Sequence, residues 1–226
     1  MNDSIKILML KKAKLFDQLQ ESELNQVARS SQLKRIKKNE FIFHNGEDIN
    51  YVYLIEKGKV KCGLETRQGK ILIKDVLFDR DILGENVFSG SNKRMEFAQA
   101  MADSTVIMIP VGIFRTIISR NVDFAAMIME IIVTRLNEVE KRMHNFVFKK
   151  AKERILDFIV NTGKHRGIRI GIDECLINHG MSHKEIAYLT DTSRQTVARV
   201  LGELKREKII HFSPRKPGKI LIRAMA

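Results

Sequence analysis

The sequence predicts an α+β chain in three successive parts: a β-rich first half with helical ends, one long helix, and a C-terminal segment of two short helices followed by a β-hairpin. Three observations predict it. Up to about residue 110, short β-branched runs alternate with turn residues. From Val122 to Phe146, apolar residues recur in steps of three and four. Beyond Lys150 the helical spacing returns in short stretches, then gives way to two strands around a turn containing Pro and Gly.

In the first part, Ile5 to Leu19 and Ser22 to Ser31 have helical spacing. The strands follow. Phe41 to Phe43 precedes HNGED, Tyr51 to Ile55 precedes EKG, Val60 to Leu64 precedes TRQG, Ile71 to Leu77 precedes DRD, and Met101 to Ile109 ends at Pro110. Strands this short, divided at these intervals, belong to a roll or barrel.

The long helix carries two apolar rows. Val122, Ala125, Met129, Ile132, Leu136, Val139, Met143 and Phe146 alternate steps of three and four, the seam of a two-stranded coiled coil. Phe124, Ile128 and Ile131 form a second stripe that can pack on the β-rich part. Packing within the chain explains one such face. Two faces imply a second partner, for which the spacing suggests the same helix of another copy, meeting at Met129, Ile132, Leu136, Val139 and Met143.

In the last part, HKEIAYL reads as a short helix with Ile186 and Leu189 inward and Ala187 small enough for a second helix to cross closely. Thr190 to Thr192 separate it from a helix predicted to begin at about Ser193. Ser193 or Thr192 can serve as its N-cap, and Gln195, three residues after Thr192, completes a capping box. Val197, Val200, Leu201 and Leu204 make the buried face, which leaves Arg194, Gln195 and Arg199 off the stripe near the N-terminal end. Their forked or paired hydrogen-bonding groups suit guanine and adenine edges in a major groove. An ordinary helical corner with a solvated basic face has the same local pattern. The strands Ile209 to Phe212 and Lys219 to Ile222 favour a winged helix-turn-helix instead.

Charge points the same way. The 226 residues hold 40 Lys and Arg against 27 Asp and Glu, a net charge of +13. From Lys150 onward there are 16 basic and 8 acidic residues, so more than half of the excess lies in the last third, as a polyanionic partner requires. Cys62 and Cys175 stand alone, without metal-ligand spacing, and read as small buried or half-buried thiols. No apolar run approaches the ~20 residues that span a bilayer, and MNDSIKIL lacks the long apolar core of a secretion signal; a cytoplasmic protein with no membrane association is expected. No nucleophile–base pair, metal cluster or phosphate-binding loop suggests an enzyme.

GEDINYVYLIEKGKV and DRDILGE in a β-roll, then a long helix, then EIAYLTDTSRQTVARVLGELKREKII with a wing, resemble the CRP/FNR family of bacterial transcription regulators, the family of the cyclic AMP receptor protein and the fumarate-nitrate regulator. The resemblance covers nearly the whole chain. It implies a cyclic-nucleotide-binding-like β-roll (a double-stranded β-helix) with flanking helices in residues 1–118, a dimerisation helix in 119–148 and a winged helix-turn-helix DNA-binding domain in 149–226. It also implies a homodimer on a palindromic site in double-stranded DNA, working on RNA polymerase under a small-molecule effector. Ser193 and Thr196 are carried over as phosphate contacts, and Arg194, Gln195 and Arg199 as base readers. Two positions depart from the family pattern: Asp191 stands at a turn position where Gly is frequent, and Gln195 replaces the usual Glu.

The effector pocket implied by the resemblance is degenerate. In GENVFSGSNKRMEF, Gly84, Glu85 and Arg94 match the phosphate site of cyclic-nucleotide binders, but Met95 stands where the hydroxyl belongs. Val139 and Glu140 occupy the helix positions that reach the base. An effector other than cyclic AMP is therefore expected, with Arg94 either holding another anion or pairing with Glu85 or Glu96. A cyclic-nucleotide- or haem-responsive member of the family is the alternative, with His44 and His144 as the candidate haem ligands. The cysteine cluster of the iron–sulfur members is absent, so no such cluster is expected.

Overall fold

The structure is a computed structural model that describes residues 3–66, 68–69, 71–170, 174–178, 181–212 and 219–223. The chain divides into two compact units, 1–137 and 138–226. In the first, helices α1 (Asp3–Leu10) and α2 (Glu21–Ser30) precede eight strands. These are β1 (Gln32–Ile36), β2 (Phe41–Phe43), β3 (Tyr51–Lys57), β4 (Val60–Glu65), β5 (Ile71–Leu77), β6 (Ile82–Leu83), β7 (Phe97–Ala100) and β8 (Ser104–Pro110). They make two antiparallel four-stranded sheets, ordered β1-β8-β3-β6 and β2-β7-β4-β5, so that chain neighbours alternate between sheets, as in a β-roll, except at the β4–β5 hairpin.

Helices α3 (Val111–Arg120) and α4 (Val122–Phe148) follow the roll. One core fills the roll with Phe43, Tyr53, Ile55, Val60, Leu83 and Val106. A second joins the helices to the roll through Phe16, Leu24, Leu54, Ile109, Phe114 and Phe124. The stripe expected to pack there does so: Phe124 and Ile128 are buried and Ile131 is half-buried against them. Burial of such a side chain contributes about 1.5–3 kcal/mol, so this face is occupied within the chain.

The second unit begins within α4 and continues through α5 (Ala151–Arg166), β9 (Ile168–Arg169), β10 (Glu174–Asn178), α6 (His183–Leu189), α7 (Arg194–Arg206), β11 (Ile210–Phe212) and β12 (Lys219–Arg223). Its sheet has the order β11-β12-β10-β9, with Ile210 opposite Ile222 in the wing. The turn between β11 and β12, residues 213–218, lies outside the described residues. Ile155, Ile159, Ile186, Val197, Val200, Leu201, Leu204, Ile210 and Ile222 form its core.

Three expectations are corrected. Ile5 to Leu19 is not one helix: α1 stops at Leu10 and a 3-10 turn follows from Lys14 to Gln18. Leu10, Ala13, Leu15, Phe16 and Leu19 are all buried, and no single face of a straight helix holds all five. Met101 to Ile109 is not one strand, because residues 101–103 turn the chain from β7 into β8. The Asp103 carboxylate there accepts from the Lys38 amide at 2.9 Å. Leu189 is only half-buried; α6 instead buries Ile186 and Ala187, and Thr190, just past its end, donates its hydroxyl to the Ile186 carbonyl at 2.8 Å.

Candidate nucleic-acid interface and effector pocket

The entry to α7 is set by local chemistry. Ser193 is the N-cap, in extended backbone, and its Oγ accepts from the Thr196 amide at 3.0 Å. The expected box through Thr192 and Gln195 is not the one formed, since a Ser193 cap makes Thr196 the third residue. The two hydroxyls lie 2.8 Å apart at the helix N-terminus, where free amides and the helix dipole favour a phosphate. A capping box does start α6: Ser182 and Glu185 exchange bonds of 2.6 and 3.3 Å between side chain and backbone.

Arg194 and Gln195 project from the first turn of α7, both exposed, while Val197, Val200, Leu201 and Leu204 anchor the opposite face. Arg199, one turn on, donates to the Glu203 carboxylate at 2.6 Å. Only its Nη1 is engaged there, and the side chain is otherwise exposed. The five residues expected to meet DNA thus share the first two turns of one helix and its cap, with two hydroxyls at the tip and three polar side chains on the outer face.

Sequence reasoning missed what holds the turn before this helix. Asp191 sits at φ +51°, the left-handed region expected from its place in the turn. Its carboxylate accepts two bonds from Arg142 of α4, Nε to Oδ2 at 2.8 Å and Nη2 to Oδ1 at 2.6 Å. Arg142 also donates to the Tyr188 carbonyl at 2.6 Å. From α5, Arg154 donates to the carbonyls of Thr190 at 2.8 Å and Asp191 at 2.9 Å. The carbonyls left over at the end of α6 therefore find their donors in two arginines. Asp191 was the one signal of this arrangement in the sequence.

The seam positions Met129, Ile132, Leu136, Val139 and Met143 are all exposed in the single chain, from 37% at Ile132 to 65% at Met143. An unbroken row of this size on one helix face is apolar surface of the kind that interfaces cover.

Around the degenerate pocket, Gly84 has φ +97°, where a larger residue would be strained, and a Cβ there would lie 2.7 Å from Arg94 Nη1 and push on the arginine. Arg94 is 2% exposed and packs its guanidinium over the rings of Phe43 and Tyr53, 4.1 and 5.6 Å from their centres. Nη2 donates to the Tyr51 carbonyl, whereas Nε and Nη1 have no hydrogen-bond partner among the described residues. Burial pushes its pKa down from the ordinary arginine range. The expected pairing with Glu85 or Glu96 is not made, because each carboxylate is held by another cation. Glu96, also 2% exposed, meets Lys74 at 2.9 Å, and Glu85 meets Arg135 of α4 at 2.6 Å. Arg135 also donates to the Ile82 carbonyl at 2.6 Å. Burial alone would raise the Glu85 carboxyl, but the charge and hydrogen bond of Arg135 outweigh it and hold the pKa below the usual range.

Met95 is exposed, pointing away from the buried Arg94 and Glu96 on either side of it. Val139 and Glu140 belong to the second unit and are exposed on α4. His44 is exposed and stacks on Phe41 at 4.1 Å, and His144 is exposed beside Phe148. Both cysteines are buried, and burial drives the Cys62 thiol far above its ordinary pKa. Among the described residues, no cluster of three His, Cys, Asp or Glu could hold a metal, and no helix is long and apolar enough to cross a membrane.

The comparisons with known proteins follow the same division. Residues 33–121 match the family described as "Cyclic nucleotide-binding domain", and residues 153–226 match the "Crp-like helix-turn-helix domain". The chain is 24% identical over 203 residues to the anaerobic regulatory protein of Bacillus subtilis, covering 89% of this chain and 84% of that one. It is 26% identical over 170 residues to the cAMP-activated global transcriptional regulator CRP of Salmonella typhimurium, covering 75% and 80%. Among solved structures it shares the fold of FixK2 from Bradyrhizobium japonicum, with a TM-score of 0.74 at 21% identity over 85% of this chain and 92% of that one. A β-roll of the cyclic-nucleotide-binding type, a long helix and a Crp-like helix-turn-helix follow one another in a single chain, and the chain belongs to the CRP/FNR family of transcription regulators.

Proposed function

We propose that the protein is a cytoplasmic homodimer that binds a palindromic operator in double-stranded DNA and acts on RNA polymerase under an effector other than cyclic AMP. Residues 1–118 sense the effector, 119–148 join the two copies, and 149–226 bind DNA. Ser193 and Thr196 hold a backbone phosphate; Arg194, Gln195 and Arg199 read bases in the major groove. Met129, Ile132, Leu136, Val139 and Met143 form the seam between α4 helices. The observation that carries this reading is the pairing, in one chain, of an exposed apolar row on a long helix with a helix-turn-helix whose outer face is polar and basic. Dimers of that kind place two recognition helices about one turn of DNA apart. Selection from a random duplex pool with the full chain tests it: two inverted half-sites are expected, and an enriched single asymmetric site, or none, overturns it.

One observation favours a reading in which the effector is an anion held in the roll. Arg94 is buried with two nitrogens that lack acceptors, and an uncompensated buried cation is costly. An anion beside Gly84 meets that need, and the CRP of Salmonella typhimurium is cAMP-activated. Against cyclic AMP itself stand Met95, which offers no hydroxyl and is turned outward, Val139, which cannot hydrogen-bond an adenine, and Glu140, whose charge opposes a ligand that is itself negative.

A further inference from the structure

We infer that the Arg142–Asp191 ion pair is a positioning device that fixes the recognition helix to the dimer helix, and that it thereby sets the spacing between half-sites which the dimer accepts. The inference rests on the DNA-binding reading above and adds to it a pair of residues that touch no base.

The first ground is backbone conformation. A non-glycine residue at φ +51° carries a steric cost that glycine avoids, so Asp191 is an unfavourable choice for the turn itself. Its side chain supplies the compensation. Both carboxylate oxygens accept from the Arg142 fork, at 2.8 and 2.6 Å, and the same guanidinium takes the Tyr188 carbonyl at 2.6 Å. Arg and Asp are 22% and 19% exposed, too little for water and salt to screen the pair as they screen a surface one.

The second ground is placement. Asp191 lies two residues before the Ser193 cap of α7 and two after the end of α6, so it is the pivot of the corner. Arg142 lies one residue before Met143 of the apolar row, on the same continuous helix. A shift or rotation of α4 at the seam is carried to residue 142 without a break, and from there through two hydrogen bonds to the pivot of the recognition helix and a third to the Tyr188 carbonyl of α6. Arg154 holds the Thr190 and Asp191 carbonyls from α5, which keeps the turn folded but ties it to a different helix. Loss of Arg142 therefore leaves a formed turn with a looser bearing on α4.

The test is operator selection from duplexes in which two inverted copies of the selected half-site are separated by spacers of every length over one helical turn. The full-length wild type, Asp191→Gly and Arg142→Gln are compared, with thermal melting and half-site base preference measured beside spacer choice. Asp191→Gly removes the ion pair while easing the backbone, so its melting temperature is expected to stay near or above that of the wild type. The wild type is expected to prefer one spacing by about tenfold or more over its neighbours, and both variants to reduce that ratio to about threefold or less, with half-site bases unchanged. Arg142→Lys, which keeps the charge and loses the fork, is expected to restore part of the ratio. Variants that keep the wild-type spacing ratio overturn the inference, whatever happens to their stability. A wild type that selects paired half-sites yet shows no spacing preference also overturns it and leaves the DNA-binding reading standing, whereas a wild type that selects no DNA removes both.

Discussion

At residue 195, proposed as a base reader, an amide in place of a carboxylate changes which base edge the side chain can match. Glutamine offers a donor and an acceptor and pairs with adenine N6 and N7, whereas glutamate can only accept, as from cytosine N4. Gln195→Glu is expected to change the preferred base pair at one position of each half-site, and Arg194→Ala to cost about 1–3 kcal/mol of specific binding. Duplex selection checks both; an unchanged half-site for Gln195→Glu sinks the assignment of that residue. A second residue, Glu85, carries a pH signature. Its carboxyl is held below the usual range by Arg135, so the stability it contributes is fully present above about pH 4.3, the ordinary glutamate value, and is lost as pH falls through the lower folded value. Glu85→Gln is expected to cost about 1.5–3 kcal/mol at neutral pH, with the gap to wild type closing as pH drops below 4 in denaturant titrations. Single side chains were unevenly legible in the sequence. The cap Ser193 and the outward Arg194 and Gln195 follow from local spacing. Arg135 and Arg142 do not, because their partners lie 50 and 49 positions away along the chain and nothing local marks them.

Among the elements, α4 is the most exposed to a simple test. Leu136→Glu places like charges opposite one another across the proposed seam, so the dimer is expected to dissociate and operator binding to fall with α7 untouched. Sedimentation velocity decides between that outcome and a variant that stays dimeric, which would put the seam elsewhere. The helix itself was legible to within two residues, its expected end at Phe146 falling just short of Phe148, because two apolar rows in steps of three and four mark a helix. Short elements were not. QLKRI forms strand β1 with four of its five side chains at least partly exposed, so the alternation that marks a strand is missing, and only pairing with β8 reveals it. The N-terminal helix broke after Leu10 for the opposite reason: five buried side chains crowd a segment whose local pattern is helical throughout, and tertiary burial overrides it.

For the whole molecule, the order of parts was the most legible feature, because a roll, a long helix and a winged corner in sequence restrict the fold far more than any one motif does. What the roll is proposed to sense was the least legible: a binding preference would rest on a few inward side chains, and Lys74 and Glu96 gave no local sign of meeting. Calorimetric titration with cyclic AMP is expected to give no binding in the low micromolar range, since loss of one charge-assisted bond at Met95 alone costs about 1.5–3 kcal/mol, roughly ten- to hundredfold in affinity. Tight binding coupled to stronger operator affinity would reverse the assignment of the effector. The exposed row on α4 also bears on dosage. If two chains must meet before either grips DNA, then at concentrations below the dimer dissociation constant, and while the operator is far from saturated, its occupancy rises with the square of the number of chains in the cell. Halving synthesis then cuts occupancy fourfold, and a subunit whose seam is intact but whose α7 is disabled poisons its normal siblings by consuming them in mixed pairs.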